Sequence, residues 1–509
     1  MEIYPWWDEK QKRLAEEAKK FADESIQRGE EITWTREFPH DLLNAVGKRG
    51  WFGALIPREY GGIEAGVTGC CILAEELGRV CSALTCAYSV TMFGGVEQLI
   101  TFGSDEQKRR WLPQVAKGDI LGAICITEPL VGSDAASIET TATLEGDEYV
   151  VNGKKRFISN AGVADIYLVY AKTSDRPEDE AKYKHLSAFI LEKGMPGFAV
   201  ERINELSGWI GLPNGYLDFD EVRVPIGNRI GAEGDGWKIM MEGLNFERTL
   251  FGAGMLGPMR EAIRYAVGHS RRRIQFGRPT IEAQANQFKI ANMISRLRTA
   301  RLLVYYAARL MDIGAEAVLE ATNAKLFASE AYRELLTEAI QVMGGDGWTK
   351  FYPTESFLRD TKVNEIGAGT SEVMRMVLYR QGTRAMAEEL KMPSRRVHPK
   401  LGVPISTTKP SPVADISEKA VLEMLAEDYR VNPGLYMSRE DMKERIAGIS
   451  DDQLDQLLAS LEVKGLAKIY RDGRGVIALA NATYRGLKEA KPLEYYKWFP
   501  GWIKRDTLF

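Results

Sequence analysis

The chain predicts an α+β multidomain protein. An N-terminal helical domain comes first, then a central antiparallel β-barrel-like domain, a C-terminal four-helix bundle, and a small winged-helix-like domain. Three observations carry this. Apolar residues recur at three- and four-residue spacing up to about residue 118 and again over 233–390, the period of an amphipathic helix. Between them, residues 119–232 alternate β-favouring residues with turn signals. After 390 the period stops at a stretch holding Pro393, Pro399, Pro404, Pro410 and Pro412, then resumes in a shorter pattern.

In residues 1–118, DEKQKRLAEEAKKFADESI and HDLLNAVGKRGWFGALI each show one apolar stripe, and Gly61–Gly62 marks a turn. CCILAEELGRVCSALTCAYSVTMFGGVEQLI is richer in small and apolar residues, which predicts a more buried pair of helices. In residues 119–232, TATLEGDEYVVNGKKRFISNAG, LSAFILEKGMPGFAV and GYLDFDEVRVP read as strands joined at turns such as GDE and NGK. In residues 233–390, three apolar-periodic runs of about 30 residues suit an antiparallel bundle. Residues 391–415 read as an extended linker. Residues 416–509 give helix, helix, helix, two short strands around RDGRG, a helix, and an aromatic tail; that order resembles a winged helix-turn-helix.

Composition excludes several classes. A formal charge of −4 over 509 residues does not suit a chain built to coat nucleic acid. No apolar run reaches the ~18 residues that span a bilayer, and the charged, amphipathic start has no signal core. Five cysteines, Cys70, Cys71, Cys81, Cys86 and Cys125, fit neither a disulfide framework nor a zinc site, so a reducing compartment, the cytoplasm, is expected. The four histidines show no metal-ligand spacing, and no serine sits in a Gly-x-Ser-x-Gly elbow.

Small and polar residues collect in four places: CITEPLVGSDAAS (125–137), KKRFISNAG (154–162), RRRIQFGRPTIEAQ (271–284), and QVMGGDGW (341–348) followed by RDTKVNEIGAGTSEV (359–373). Residues as small as Gly367, Ala368 and Gly369, set before a helical pattern, let something approach the backbone closely.

In this order the four segments resemble the acyl-CoA dehydrogenase family, over residues 5 to 390, closest to its isovaleryl-CoA dehydrogenase-like members. The resemblance implies FAD as cofactor and oxidation of an acyl-CoA thioester to the enoyl-CoA. It also implies electron-transfer flavoprotein as acceptor and assembly as a homotetramer or dimer. It implies that Ile126, Thr127 and Ser133 lie along the flavin and substrate face. Phe157 and Ser159 stand where the family usually has Trp and Thr beside the flavin ring. Arg273 and Gln284 would reach the FAD of a neighbouring subunit, Gln341 and Gly345 would approach the same cofactor, and Thr370 and Glu372 would complete the site. The plain alternative for Arg271 and Arg272 is a solvated helix end, where cations are favourable.

Such a reaction needs a base for the Cα proton and donors for the developing oxyanion. Most members carry a Glu directly before Gly-Thr; here that position is Ala368. Its backbone N–H can still serve the thioester oxygen, but its methyl group cannot accept a proton. In isovaleryl and long-chain members the glutamate instead precedes the Arg of an earlier helix, and LNFERT places Glu247 before Arg248. Glu247 is therefore the expected base, with Asn245, Arg248, Ser133, Gly367 and Gly369 on the substrate side; its bland alternative is a surface acid beside Arg248. Gly367 suggests room for a branched or bulky acyl group. Two departures leave the acyl chain open: Ile210 replaces an Arg of the isovaleryl enzyme, and Asn245 replaces a common Asp.

Residues 416–509 hold 15 Lys and Arg against 15 Asp and Glu, and SDDQLDQLLASLE, in the recognition-helix position, is acidic. Neither favours DNA, and a docking or contact module is expected. An acyl-CoA oxidase and a DNA-associated flavoprotein on the same fold are the rival readings.

Overall fold

The computed structural model describes residues 4–387, 389, 416–431, 435–446 and 448–490. The expected linker 391–415 and the aromatic tail 491–509 lie outside the described residues. The chain divides into two compact units, Met1–Ala387 and Glu388–Phe509.

The first unit opens with six helices: α1 (Glu9–Thr35), α2 (His40–Lys48), α3 (Gly66–Val80), α4 (Ser82–Thr91), α5 (Glu97–Phe102) and α6 (Asp105–Lys117). Reciprocal capping starts α1 and α6: Asp8 with Gln11, and Ser104 with Gln107, satisfy otherwise orphaned backbone donors. Helices α3 and α4 are buried on nearly all sides, as their small apolar composition predicts. Between α4 and α5, Met92–Val96 forms a π-type turn in which Gly94 and Gly95 leave helical geometry. A Cβ on Gly94 would lie 2.7 Å from the Ala123 carbonyl carbon, so this turn seats directly on the sheet that follows.

That sheet contains β1 (Gly122–Cys125), β2 (Thr141–Glu145), β3 (Glu148–Ser159), β4 (Ile166–Lys172), β5 (Leu186–Glu192), β6 (Phe198–Ile203), β7 (Asn214–Pro225) and β8 (Arg229–Ile230), with a short α7 (Pro177–Glu180) before β5. The order is β6-β7-β3-β2-β4-β5-β8, with β1 added beside β4. The sheet is mixed and open, not the antiparallel barrel-like domain expected. Strands β1 and β2 both run parallel to β4, at Gly122↔Ile166 through Cys125↔Val169 and at Thr141↔Lys172. No described pairing joins the end strands β6 and β8. The other edge of β4 is taken by β5, so β1 and β2 form one interrupted line with the 126–140 loop thrown out between them. Alternation along one strand fixes which face is buried but carries no direction, so parallel pairing is invisible to it.

Five helices follow rather than four: α8 (Gly236–Arg272), α9 (Gln284–Asp312), α10 (Val318–Met343), α11 (Thr354–Asn364) and α12 (Ser371–Ala385), with a small hairpin, β9 (Ile274–Gln275) and β10 (Arg278–Pro279), after α8. Helix α8 crosses α3 backbone to backbone: a Cβ on Gly257 would overlap the Glu75 carbonyl, and one on Gly78 the Gly254 carbonyl. Beside this crossing, buried Glu75 accepts from Arg301 (2.6 Å) and the Tyr305 hydroxyl (3.0 Å). Buried Arg79 donates to Glu261 (2.6 Å), Glu76 (3.0 Å) and Asp23 (2.6 Å). Four helices are thereby cross-tied with their buried charges paired.

The second unit runs α13 (Glu418–Val431), β11 (Met437–Ser438), α14 (Arg439–Arg445), α15 (Asp451–Val463), β12 (Ala467–Arg471), β13 (Ile477–Ala482) and α16 (Tyr484–Ala490). Its three strands pair antiparallel in the order β11-β13-β12. The short β11 is an addition to the expected pattern. The unit has its own core, including Val421, Leu425, Met442, Leu454, Leu458, Ala480 and Leu487.

Candidate active site

Glu247 lies in the first half of α8, and it is buried. It accepts no hydrogen bond from a described residue. Burial pushes its carboxyl up to about 7, with Arg248 and Lys325 pulling the other way. A buried acid held near neutrality with no assigned structural partner is the electrostatic profile of a proton acceptor. Arg248 is buried too, with Nε unpartnered among the described residues. Asn245 is half-buried, and its carbonyl accepts from the Thr249 hydroxyl at 2.9 Å.

The loop between α11 and α12 comes to this point. Ala368 has φ +55° and Gly369 has φ +89°. A left-handed alanine is uncommon and persists only where neighbouring bonds fix it. Here Gly367 N–H donates to Val363 O (2.8 Å) and Ser371 N–H to Glu365 O (2.9 Å), closing the loop on both sides. The Ala368 N–H itself donates to no described residue. Lys325 of α10, fully buried, donates from Nζ to Gly369 O at 2.6 Å. Its ammonium also feels Glu247 and Arg248, and burial lowers its pKa to about 8. Phe251, one turn beyond Glu247, packs against the same loop: a Cβ on Gly367 would stand 3.3 Å from its ring. The room read from Gly367 in the sequence is filled by that ring.

A second cluster forms where β1 ends against β3. Lys155, fully buried, pairs with buried Glu128 at 2.7 Å and donates to Tyr170 O (2.8 Å) and Ile126 O (3.3 Å). Glu128 in turn accepts from the N–H groups of Glu139 (2.6 Å) and Thr140 (3.0 Å), pinning both ends of the 126–140 loop. Arg156 N–H donates to Thr127 O at 2.8 Å. The β3–β7 register slips here and Phe157 takes φ +59°, leaving its ring half exposed with the Arg156 guanidinium 4.3 Å from its centroid. Asn214 Nδ2 donates to Phe157 O (2.9 Å) and to Ser159 Oγ (3.3 Å). Ile126, Thr127, Phe157 and Ser159 thus form one ledge, with a bared aromatic face and polar groups along its edge. Ser133 is exposed on the 126–140 loop.

The remaining expected residues collect elsewhere. Arg273 and Gln284 are exposed, just after α8 and at the start of α9. His269, one turn before Arg273, bonds Asp346 at 2.8 Å and so holds the Gly344–Trp348 turn beside them. Gln341 is exposed at the end of α10, and nothing crowds Gly344 or Gly345. Residues 247 to 273 lie along one helix, at ~1.5 Å per residue roughly 39 Å apart, so Arg273 cannot meet Glu247 within one subunit. Thr370 caps α12 by accepting from Val373 N–H at 3.2 Å, and Glu372 follows it on the first turn.

Lys325 escaped the sequence reading. Its signal was one lysine within ATNAKLFAS, where residues on both sides are small and apolar. Tyr170, buried and sensing the charge of Glu247, also escaped it, because it sits in no motif.

The ledge suits a flat, polar-edged ring. Glu247 and the free N–H of Ala368 suit removal of a proton beside an activated carbonyl. Together they fit the class of oxidoreductases that act on a carbonyl compound with a ring cofactor. The family models for the N-terminal, middle and C-terminal domains of acyl-CoA dehydrogenase match residues 8–119, 123–222 and 234–383, and the chain belongs to the acyl-CoA dehydrogenase family, the FAD-dependent oxidoreductases.

It is 41% identical over 344 residues to an acyl-CoA dehydrogenase of Bacillus subtilis (strain 168), covering 68% of this chain and 90% of that one. It is 37% identical over 378 residues to a mitochondrial isovaleryl-CoA dehydrogenase of Oryza sativa subsp. japonica, covering 74% and 91%. Among solved structures, butyryl-CoA dehydrogenase from Megasphaera elsdenii matches with a TM-score of 0.72 at 33% identity, covering 75% of this chain and all of that one (100%). No described helix is long and apolar enough to cross a membrane.

Proposed function

We propose that the chain dehydrogenates the α,β bond of a branched or bulky acyl-CoA, with Glu247 as base, and passes the electrons to electron-transfer flavoprotein. The observation that carries this is a buried, unpartnered carboxyl on α8 that interacts with Lys325, the same lysine that holds the loop of Ala368, whose backbone N–H has no partner among the described residues. Glu247 takes the Cα proton, and Lys325 favours its ionised form. The Ala368 N–H donates to the thioester oxygen as negative charge gathers there, held in place by the Lys325 bond to Gly369 O. Ile126, Thr127, Phe157 and Ser159 would hold the flavin ring; when bound, FAD supplies the acceptor for the hydride leaving Cβ. Because Arg273 lies so far from Glu247, the reading includes a second copy whose Arg273, Gln284, Gln341 and Gly345 reach the cofactor, in a dimer or homotetramer. Kinship with isovaleryl-type relatives supports the branched substrate.

The second unit fits a winged-helix-type docking module rather than a DNA reader. Asp451 and Asp455 of α15 are paired by Arg439 (3.0 and 2.5 Å), and Asp451 also by Lys443 (3.0 Å), so those cations are already engaged. Anaerobic titration with isovaleryl-, isobutyryl-, butyryl- and octanoyl-CoA tests the reading. Bleaching of the flavin band by one thioester, lost in Glu247→Gln with flavin retained, is the expected result. A Glu247→Gln protein that still bleaches would remove Glu247 as base.

A further inference from the structure

Loop 204–213, which joins β6 to β7, touches both clusters of the site. At its neck, Asn204 N–H donates to Asn214 O (2.7 Å) and Asn204 Nδ2 to Asn214 Oδ1 (2.9 Å). Asn214 is also the residue whose Nδ2 holds Phe157 O and Ser159 Oγ on the ledge. At its tip the buried Trp209 sets its ring edge-on to Phe251, with centroids 5.9 Å apart. Phe251 lies one turn beyond Glu247 on α8 and packs against Gly367, beside Ala368.

The tip is gripped by two consecutive residues of α11. Arg359 Nη1 donates to Ser207 O at 2.9 Å, and the buried Asp360 carboxylate accepts from Trp209 N–H at 2.5 Å. Gly208 sits between the two gripped groups, so close to α11 that a Cβ on it would stand 2.7 Å from both Arg359 O and Asp360 Oδ1. The other carboxylate oxygen of Asp360 accepts from the Ser82 hydroxyl, at the start of α4, at 2.5 Å. Trp209 has φ +50°, a left-handed backbone that a bulky residue keeps only where its neighbours fix it. At the end of α11, Asn364 Nδ2 donates back to Asp360 O (2.7 Å), directly before the loop of Ala368. Burying a carboxyl is costly unless donors satisfy it; here one donor is the strained tip itself.

Resting on the acyl-CoA reading above, we propose that Asp360 is a positioning residue: through the Trp209 N–H it holds loop 204–213 as a strut that sets the flavin ledge at Phe157 against the Glu247–Ala368 side of the site. Asp360 acts only through this strut. Hydride transfer needs its reacting atoms about 3–3.5 Å apart, and a misplacement of ~1 Å can cost about 10²-fold. A loosened tip is therefore felt in the rate more than in binding.

The test compares wild type, Asp360→Asn, Asp360→Leu and Arg359→Met as purified holoprotein with FAD in excess. In Asp360→Asn the amide oxygen can still accept from Trp209 N–H while its nitrogen donates to the Ser82 oxygen, so both links survive; Asp360→Leu keeps the bulk and loses both. The readouts are the visible circular dichroism of the bound flavin, the maximal rate of flavin reduction per bound flavin by the thioester that bleaches wild type, and the thioester concentration giving half that rate. Asp360→Leu is expected to change the flavin band and to lower the maximal rate about 10²-fold, with the half-saturating concentration little changed. Asp360→Asn is expected to restore both band and rate. An Asp360→Leu protein that melts lower but keeps the wild-type band and rate makes Asp360 purely structural and overturns the assignment. So does an Asp360→Asn protein as slow as Asp360→Leu. Should Asp360→Leu not fold, Arg359→Met decides, at a side chain 33% exposed: a changed band with a smaller fall in rate supports the strut, and wild-type values overturn it. A wild type bleached by no thioester overturns the functional reading and this role with it, whereas failure of the strut alone leaves wild-type bleaching intact.

Discussion

Glu247 is a carboxyl whose surroundings set two opposite pH trends. As a base it must be ionised, so the rate of flavin reduction by substrate is expected to climb through about pH 7 and level off above it. For stability the sign reverses. The folded carboxyl titrates near 7 and the unfolded one near 4.5, so the folded state holds the extra proton between these values. Its stability contribution is full below about 4.5 and is lost as pH rises through 7. At 1.36 kcal/mol per unit the loss is of order 3 kcal/mol. Glu247→Gln should therefore lower turnover by about 10²–10⁴-fold yet raise the melting midpoint at pH 8 and leave it unchanged at pH 4. Lys325→Met removes a cation that favours the carboxylate and should move the rate profile to higher pH. At this scale the sequence is most legible where residues are neighbours in the chain: it sets Glu247 before Arg248 and Ala368 before Gly-Thr, and the fold brings both stretches to the one buried Lys325. Linear order missed Lys325 because the meaning of that residue depends on the helix and loop that the fold brings alongside it.

Among the elements, the interrupted line of β1 and β2 along β4 does most to shape the site. It leaves the 126–140 loop anchored at both ends by the Lys155–Glu128 pair. Removing one partner strands the other as a buried charge, so Lys155→Met or Glu128→Gln should cost about 3–5 kcal/mol. Loop and flavin should be lost together, visible as a colourless protein with a lowered unfolding midpoint. The helical elements were legible because each buries a continuous stripe and several start at Ser or Asp caps. The sheet's direction was not, since β1 is only four residues long and its paired residues lie 44 positions on. The fifth helix of the bundle, α11, was hidden in a polar stretch, RDTKVN, whose apolar face is narrow.

For the whole molecule, two units with separate cores predict that residues 1–390 alone fold and keep flavin. Absorbance at the flavin band and a melting curve close to that of the full chain would check this. If loss of residues 391–509 bleaches the protein instead, the second unit belongs to cofactor binding. Arg273→Ala is expected to weaken flavin retention without altering the Glu247 pH profile, because it sits at the far end of α8.

The length of α8 has one more implication. On the proposed assignment, Glu247 as base and Arg273 as a contact to the second copy's cofactor sit at opposite ends of one helix, and a dissociated subunit would carry two half-sites and no whole one. Dilution then acts as a slow unloading step. Flavin should leave in proportion to subunit separation, with a midpoint set by protein concentration, and return when the protein is concentrated with FAD present.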